Sequence, residues 1–226
     1  MKKLDGIKAC VFDAYGTLFD VSSVANGVRH ELGDNWQDFS DLWRTKQLQY
    51  TWLRGLTGHH ENFWQVTGDA LDYTMSALRI QDSVLRDRLM NLYLSIPTYS
   101  EVPAMLAALK ALGIKLAILS NGSPAMLTAA VGNAGIAAYF DAVLSVEEVG
   151  VFKPHPSVYA LAPMRLNEPK AAICFLSSNA WDAYSAKAFG FKVLWCNRFG
   201  QAPEHIPATP DGEIRDLSVL PELFVR

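Results

Sequence analysis

The run 9-ACVFDAYGTLFD-20 opens on four apolar residues, Ala9 to Phe12, and leaves them on an acid, Asp13. Gly16 and Thr17 follow within four residues, and Tyr15 stands between the acid and that turn. A short apolar run bounded by turn residues reads as a strand buried on both faces, as in a parallel sheet. Ligands of open parallel sheets bind at the carboxyl ends of the strands. With Ile7 to Asp13 as the first strand, Asp13 is therefore delivered to the edge where such folds do their chemistry.

Beyond that strand the pattern turns helical from about Val21 to Leu94. Trp36, Phe39, Trp43, Tyr50 and Leu53 recur at spacings of three, four and seven, one face of a long helix. Phe63, Trp64, Ala70, Leu71, Met75 and Leu78 give a second helix, and Val84, Leu85, Leu89 and Leu92 a third. Ile96-Pro97 closes the block. After Ser100 strands and helices alternate. Helix 101–112 stops at Gly113, a common C-terminal residue, and Lys115 to Leu119 is a buried strand. Ser123-Pro124 caps and opens the next helix. Ala142 to Val146 is a strand, Pro156 to Leu166 a helix and Ala171 to Leu176 a strand. Trp181 to Phe189 is a helix ended by Gly190, and Lys192 to Cys196 is a strand. This alternation predicts an α/β fold, a Rossmann-like, mostly parallel sheet flanked by helices. Residues 1–20 and 97–226 would form the core domain, with 21–96 inserted as an all-helical cap subdomain.

Composition narrows the class. Of 226 residues half are apolar and 19% charged, enough for a sizeable core. A formal charge of −3 leaves no basic footprint for nucleic acid. No run approaches the roughly 18 apolar residues of a membrane-spanning helix. Asp5, Lys8 and Asp13 interrupt any signal-peptide core. A cytoplasmic protein with no membrane partner is expected. Cys10, Cys174 and Cys196 lie in apolar runs and read as reduced core residues. No Cys or His spacing points to zinc, His59-His60 reads as a loop pair, and neither metal nor cofactor is expected.

Four strand ends carry chemically capable residues: Asp13, Tyr15 and Thr17; Ser120-Asn121-Gly122; Lys153-Pro154, after a loop; and Ser177-Ser178-Asn179 with Trp181-Asp182. Each alone is an ordinary cap or turn. Together, in this order, they resemble the haloacid dehalogenase superfamily. DxYGTLFD, LSNGS, KP and SSNAWD, with LWRTKQLQYTWLR in the helical block, resemble the (S)-2-haloacid dehalogenases in particular, over nearly the whole chain. The superfamily's phosphatases carry a second acid two residues after the first, to protonate the leaving oxygen. Here that seat holds Tyr15, which keeps its proton at neutral pH. The carboxylates that would hold magnesium are thinned to Ser178, Asn179 and Asp182. A halide leaves as an anion, needing neither part.

The resemblance implies a mechanism. Asp13 attacks C2 of a short (S)-2-haloalkanoic acid and forms an ester, whose hydrolysis gives the (R)-2-hydroxy acid. Lys153 would steady the Asp13 charge, with Thr17 and Ser177 orienting it by hydrogen bonds. Arg44 and Asn121, with an aromatic edge, would cradle the halide. Ser120 and the N–H groups near Ala14, Tyr15 and Asn121 would take the substrate carboxylate. Tyr15, Leu48, Phe63 and Trp181 would wall the pocket, although Phe63 and Trp181 fit a plain core role equally well. Asp182 would be general base for the hydrolytic water, with Asn179 its orienter. Tyr159 matches a tyrosine the family uses near Lys153, and equally fits a helix residue packed on the sheet. Partners implied are the haloacid, the halide ion and a second copy in a homodimer. His155 replaces the family's usual acid after Lys-Pro, at a helix-capping position. Rival readings are opening of azetidine-2-carboxylate by the same nucleophile, a phosphatase, and a non-catalytic binding protein.

Overall fold

The computed structural model describes residues 3–224. Strand β1 (Ala9–Phe12) is followed by helices α1 (Ser22–Asn26), α2 (Arg29–Leu32), α3 (Trp36–Thr57), α4 (Phe63–Ala77) and α5 (Ser83–Leu92). Then come α6 (Val102–Ala111), β2 (Lys115–Ser120), α7 (Pro124–Asn133), β3 (Ala142–Ser145), α8 (Pro156–Leu166), β4 (Ile173–Ser177) and α9 (Ala180–Phe189). β5 (Lys192–Cys196), β6 (Gly212–Ile214) and α10 (Leu220–Phe224) complete the order. The sheet runs β3-β2-β1-β4-β5-β6 with every pairing parallel, the α/β class expected. Strand order reverses beside β1, the switch point at which such sheets bind ligands. β1 is buried throughout, in register with β2 and β4, so Asp13 emerges between two other strand ends.

The chain enters and leaves the helical block at one place. Asp20 N–H donates to Pro97 O at 2.9 Å, and Tyr99 N–H to Leu18 O at 3.0 Å. Within the block α3 packs chiefly on α4. The caps are local. Asn62, Asp82 and Ser123 side chains accept from the exposed N–H groups of α4, α5 and α7. His155 caps α8, as its position implied. The three cysteines are free and buried.

Several elements differ from expectation. The first strand begins at Ala9, not Ile7, although Lys8 already shares backbone bonds with both neighbours. The strand β6 and the short helices α1, α2 and α10 carried no periodic signal, each being five residues or fewer. Leu53 is 56% exposed rather than on the buried face of α3. The buried stripe is Phe39, Trp43, Gln47 and Thr51. A four-residue step overshoots one helical turn by about 40°, so the stripe has turned away from Leu53 by the last turns. Val84 is likewise exposed, while Leu85 and Leu89 face inward.

Gly122 shows how closely the site is packed. A Cβ there would stand 2.8 Å from Tyr15 Cε2 and 3.1 Å from Leu127 Cδ2. Gly122→Ala is expected to lower stability by about 1–3 kcal/mol through overpacking. Urea unfolding measures this, and an unchanged midpoint would refute the packing argument.

Candidate active site

Asp13 lies one residue beyond β1, its N–H tied to Leu176 O at 2.8 Å. Its carboxylate is buried and accepts three hydrogen bonds. Lys153 Nζ donates to Oδ1 at 3.0 Å, while Thr17 Oγ1 and Asn179 Nδ2 donate to Oδ2 at 3.2 and 2.9 Å. The Lys153 ammonium also donates to Asp182 Oδ2 at 2.8 Å, so one buried cation stands between two buried carboxylates. The Tyr159 hydroxyl donates to Asp182 Oδ1 at 2.6 Å.

Each partner is placed by the backbone. Asn121 Oδ1 accepts the Lys153 N–H at 3.0 Å, fastening the loop after β3 to the end of β2. Thr17 Oγ1 accepts the Ser178 N–H at 2.8 Å while donating to Asp13, joining the ends of β1 and β4. Ser177, expected to orient Asp13, instead accepts the Asn179 N–H at 3.2 Å. Its hydroxyl turns the chain after β4 and so aims Asn179. The Ser120 hydroxyl accepts the Gly122 N–H at 3.0 Å, shaping its own strand end.

Burial sets the electrostatics. It works to lower the Lys153 pKa, but Asp13 and Asp182 outweigh it and hold the ammonium above the usual lysine range. Burial raises the Asp182 carboxyl above the ordinary aspartate value, against the pull of Lys153 and with a further push from Asp13. Burial also drives the Tyr159 and Tyr15 hydroxyls well up, so both stay protonated at neutral pH.

A cavity of about 650 Å³ opens beside this cluster, lined among others by Arg44, Leu48, Asn179 and Trp181. Arg44 Nη2 donates to Asn179 Oδ1 at 3.0 Å, so α3 touches the residue that holds Asp13. Tyr15 and Phe63 are buried deeper, ring centres 6.1 Å apart, with Tyr93 at 6.0 Å from Tyr15. The Tyr15 hydroxyl and Trp181 Nε1 are buried without a protein partner, and Trp181 stands edge-on to Trp52. Ala14 is buried, its carbonyl accepting from Leu18 and Phe19. Among the described residues no three His, Cys, Asp or Glu side chains converge to hold a metal ion. His60 bonds Glu147 at 3.1 Å and packs on Phe152, so this histidine is more than a loose loop residue.

Sequence reasoning passed over three contributors: Gln47, the Ser178 N–H and Arg198. Arg198 donates to Thr17 O at 2.8 Å. Gln47 did leave a trace, as a polar residue four positions after Trp43 on a buried stripe. The other two meet Thr17 from far along the chain, Ser178 through its backbone N–H and Arg198 on a backbone carbonyl, and left none.

Fold and site define a class first: an α/β protein with a buried aspartate at its switch point, paired to lysine beneath a helical block. A family model for haloacid dehalogenase-like hydrolases matches residues 7–190. The (S)-2-haloacid dehalogenase of Pseudomonas sp. (strain YL) is 47% identical, covering 98% of this chain and 96% of its own. A dehalogenase crystal structure superposes with a TM-score of 0.95 at 38% identity, covering 98% of this chain and 99% of its own. The L-2-haloacid dehalogenase of Xanthobacter autotrophicus, solved with chloropropionic acid covalently bound, is 40% identical with a TM-score of 0.89, over 96% and 98% of the two chains. The chain belongs to the haloacid dehalogenase-like hydrolases, and within them to the (S)-2-haloacid dehalogenases.

Because both carboxylates raise the Lys153 pKa, the ammonium persists to alkaline pH. Its contribution is present below the unfolded lysine value, about 10.4, and is lost only as pH rises through the higher folded value. The kcat/KM profile is expected to stay flat on its alkaline side up to about pH 10. A limb near pH 8 to 9, absent in Lys153→Arg, would contradict this.

Proposed function

We propose that this protein hydrolyses short (S)-2-haloalkanoic acids to (R)-2-hydroxyalkanoic acids through an ester on Asp13. The observation that carries the reading is the Asp13 carboxylate, held by Lys153, Thr17 and Asn179 beside a cavity that Arg44 enters. The covalently bound chloropropionic acid in the relative supports it.

An Asp13 oxygen attacks C2. The C–O bond forms as the carbon–halogen bond breaks, and the halide leaves with the bonding electrons. Charge that began on Asp13 passes to the halide, where Arg44, Asn121 and the edges of Trp181 and Phe63 receive it. Ser120 and the N–H groups of Ala14, Tyr15 and Asn121 hold the substrate carboxylate, and Tyr15, Leu48, Phe63 and Trp181 exclude water. The ester removes the Asp13 charge and leaves Lys153 and Asp182 as a pair. Water then attacks the Asp13 carbonyl carbon and gives a proton to Asp182, with Asn179 orienting. The ester bond breaks, the proton on Asp182 passes to the departing oxygen of the hydroxy acid, and the second water proton is lost to solvent as the Asp13 carboxylate returns. A raised pKa suits Asp182 to this work, and Tyr159 supports its second oxygen.

The chemistry is metal-independent in this reading. Tyr15 stays protonated where a phosphatase has its second acid, and Lys153 supplies the positive charge between Asp13 and Asp182. Residues 21–96 act as a cap over the core formed by 1–20 and 97–226. We place the protein in the cytoplasm as a homodimer, for which Leu53 and Leu56 offer exposed apolar surface on α3. The relatives favour a haloacid over the azetidine ring.

Incubation with (S)-2-chloropropionate in EDTA is expected to release chloride and give (R)-lactate, with the (R)-substrate left intact. No chloride, or release abolished by EDTA, would overturn the reading.

A further inference from the structure

Gln47 sits in the middle of α3 with no exposed surface, between Trp43 and Thr51 on the buried stripe. A buried amide left without partners is destabilising, so each of its hydrogen bonds matters. They run in one direction. The single Thr67 hydroxyl proton goes to Phe63 O at 2.6 Å. The Thr67 oxygen can then only accept, and it accepts Gln47 Nε2 at 2.7 Å. That turns Gln47 Oε1 toward Arg44, whose Nη1 donates to it at 2.6 Å. A flipped Gln47 would set its NH₂ against the guanidinium, donor to donor. Arg44 Nη2 continues to Asn179 Oδ1 at 3.0 Å, and Asn179 Nδ2 reaches Asp13 Oδ2 at 2.9 Å.

From this we infer that Gln47 is a positioning residue for the displacement step, the link through which the α4 backbone fixes the plane of Arg44. The inference rests on the dehalogenase reading above. Two bonds, one to Gln47 and one to Asn179, hold the guanidinium at both ends of its fork, leaving its remaining N–H groups for the cavity. Trp43 Nε1 donates to Thr67 O at 2.9 Å, so the residue that orients Gln47 is itself pinned to α3. Tyr93 is driven upward in pKa by burial, against Arg44 and Gln47, and stays neutral beside the pair. The same line joins the helical block to the nucleophile, so seating α3 correctly and aiming Asp13 become one event.

A residue that only fills space would slow all substrates alike. A residue that aims Arg44 at the departing halide matters more for the poorer leaving group. The test is kcat/KM for (S)-2-chloropropionate and (S)-2-bromopropionate in Gln47→Met, Thr67→Val and Thr67→Ser. Gln47→Met is expected to lose on the order of tenfold or more on the chloride substrate and less on the bromide, so that the bromide-to-chloride ratio rises several-fold. Thr67→Val should shift the ratio the same way, and Thr67→Ser should restore it. If Gln47→Met does not fold, Gln47→Glu decides. It keeps the size and the acceptor but pairs its own charge with Arg44, and should raise the ratio too. An unchanged ratio in any folded Gln47 variant overturns the inference. Failure of the unaltered protein to release halide would strike the parent reading instead.

Discussion

The Lys153 ammonium lies 3.0 Å from Asp13 and 2.8 Å from Asp182, all three side chains buried. Two carboxylates confined this closely repel each other, and the cation between them offsets that repulsion. Removing one member of a buried charge cluster leaves the others uncompensated, at a cost of several kcal/mol. The surrounding fold serves this arrangement. Parallel pairing of β1 with β4 brings Asp13 and Asp182 to the same edge, and the loop after β3 supplies Lys153. Asn121 secures that loop through the Lys153 N–H, and Tyr159 occupies the outer Asp182 oxygen.

The charge cluster also suits the proposed two-step reaction. In the proposed mechanism Lys153 faces a carboxylate pair before displacement and a single carboxylate after it, once Asp13 is esterified. The same ammonium would first steady the proposed nucleophile and then balance the proposed base. Arg44 reaches the other Asp13 oxygen through Asn179, so one cation from the core and one from the helical block bear on the same carboxylate.

The fold was legible where burial left a long signal. Apolar runs before Asp13, Ser120 and Ser177 marked the central strands, and Gly113, Ser123 and Gly190 marked three helix ends. β6, with three residues and one inward side chain, offered no pattern to read. The drift of the α3 stripe misled the reading of Leu53, because a helix followed over 22 residues does not keep one face buried. At the site, strand-end residues with a family resemblance located Asp13, Lys153, Asn179 and Asp182. Ser177 was placed in the right cluster but on the wrong partner, since strand position does not say which of two nearby groups a hydroxyl meets. The trace Gln47 left was too slight to read, because a glutamine on a helix is ordinarily solvated, and only the three-dimensional neighbours reveal both of its amide bonds.

The proposed reaction turns on covalent attachment of Asp13 to substrate. A single turnover with enzyme in excess over (S)-2-chloropropionate in ¹⁸O-labelled water tests it most directly, by mass analysis of the peptide carrying Asp13 and of the product. Label is expected in the Asp13 carboxylate, with an unlabelled hydroxyl in the first lactate formed. Label in the lactate with none on Asp13 would mean that water attacks C2 itself, and would contradict the account.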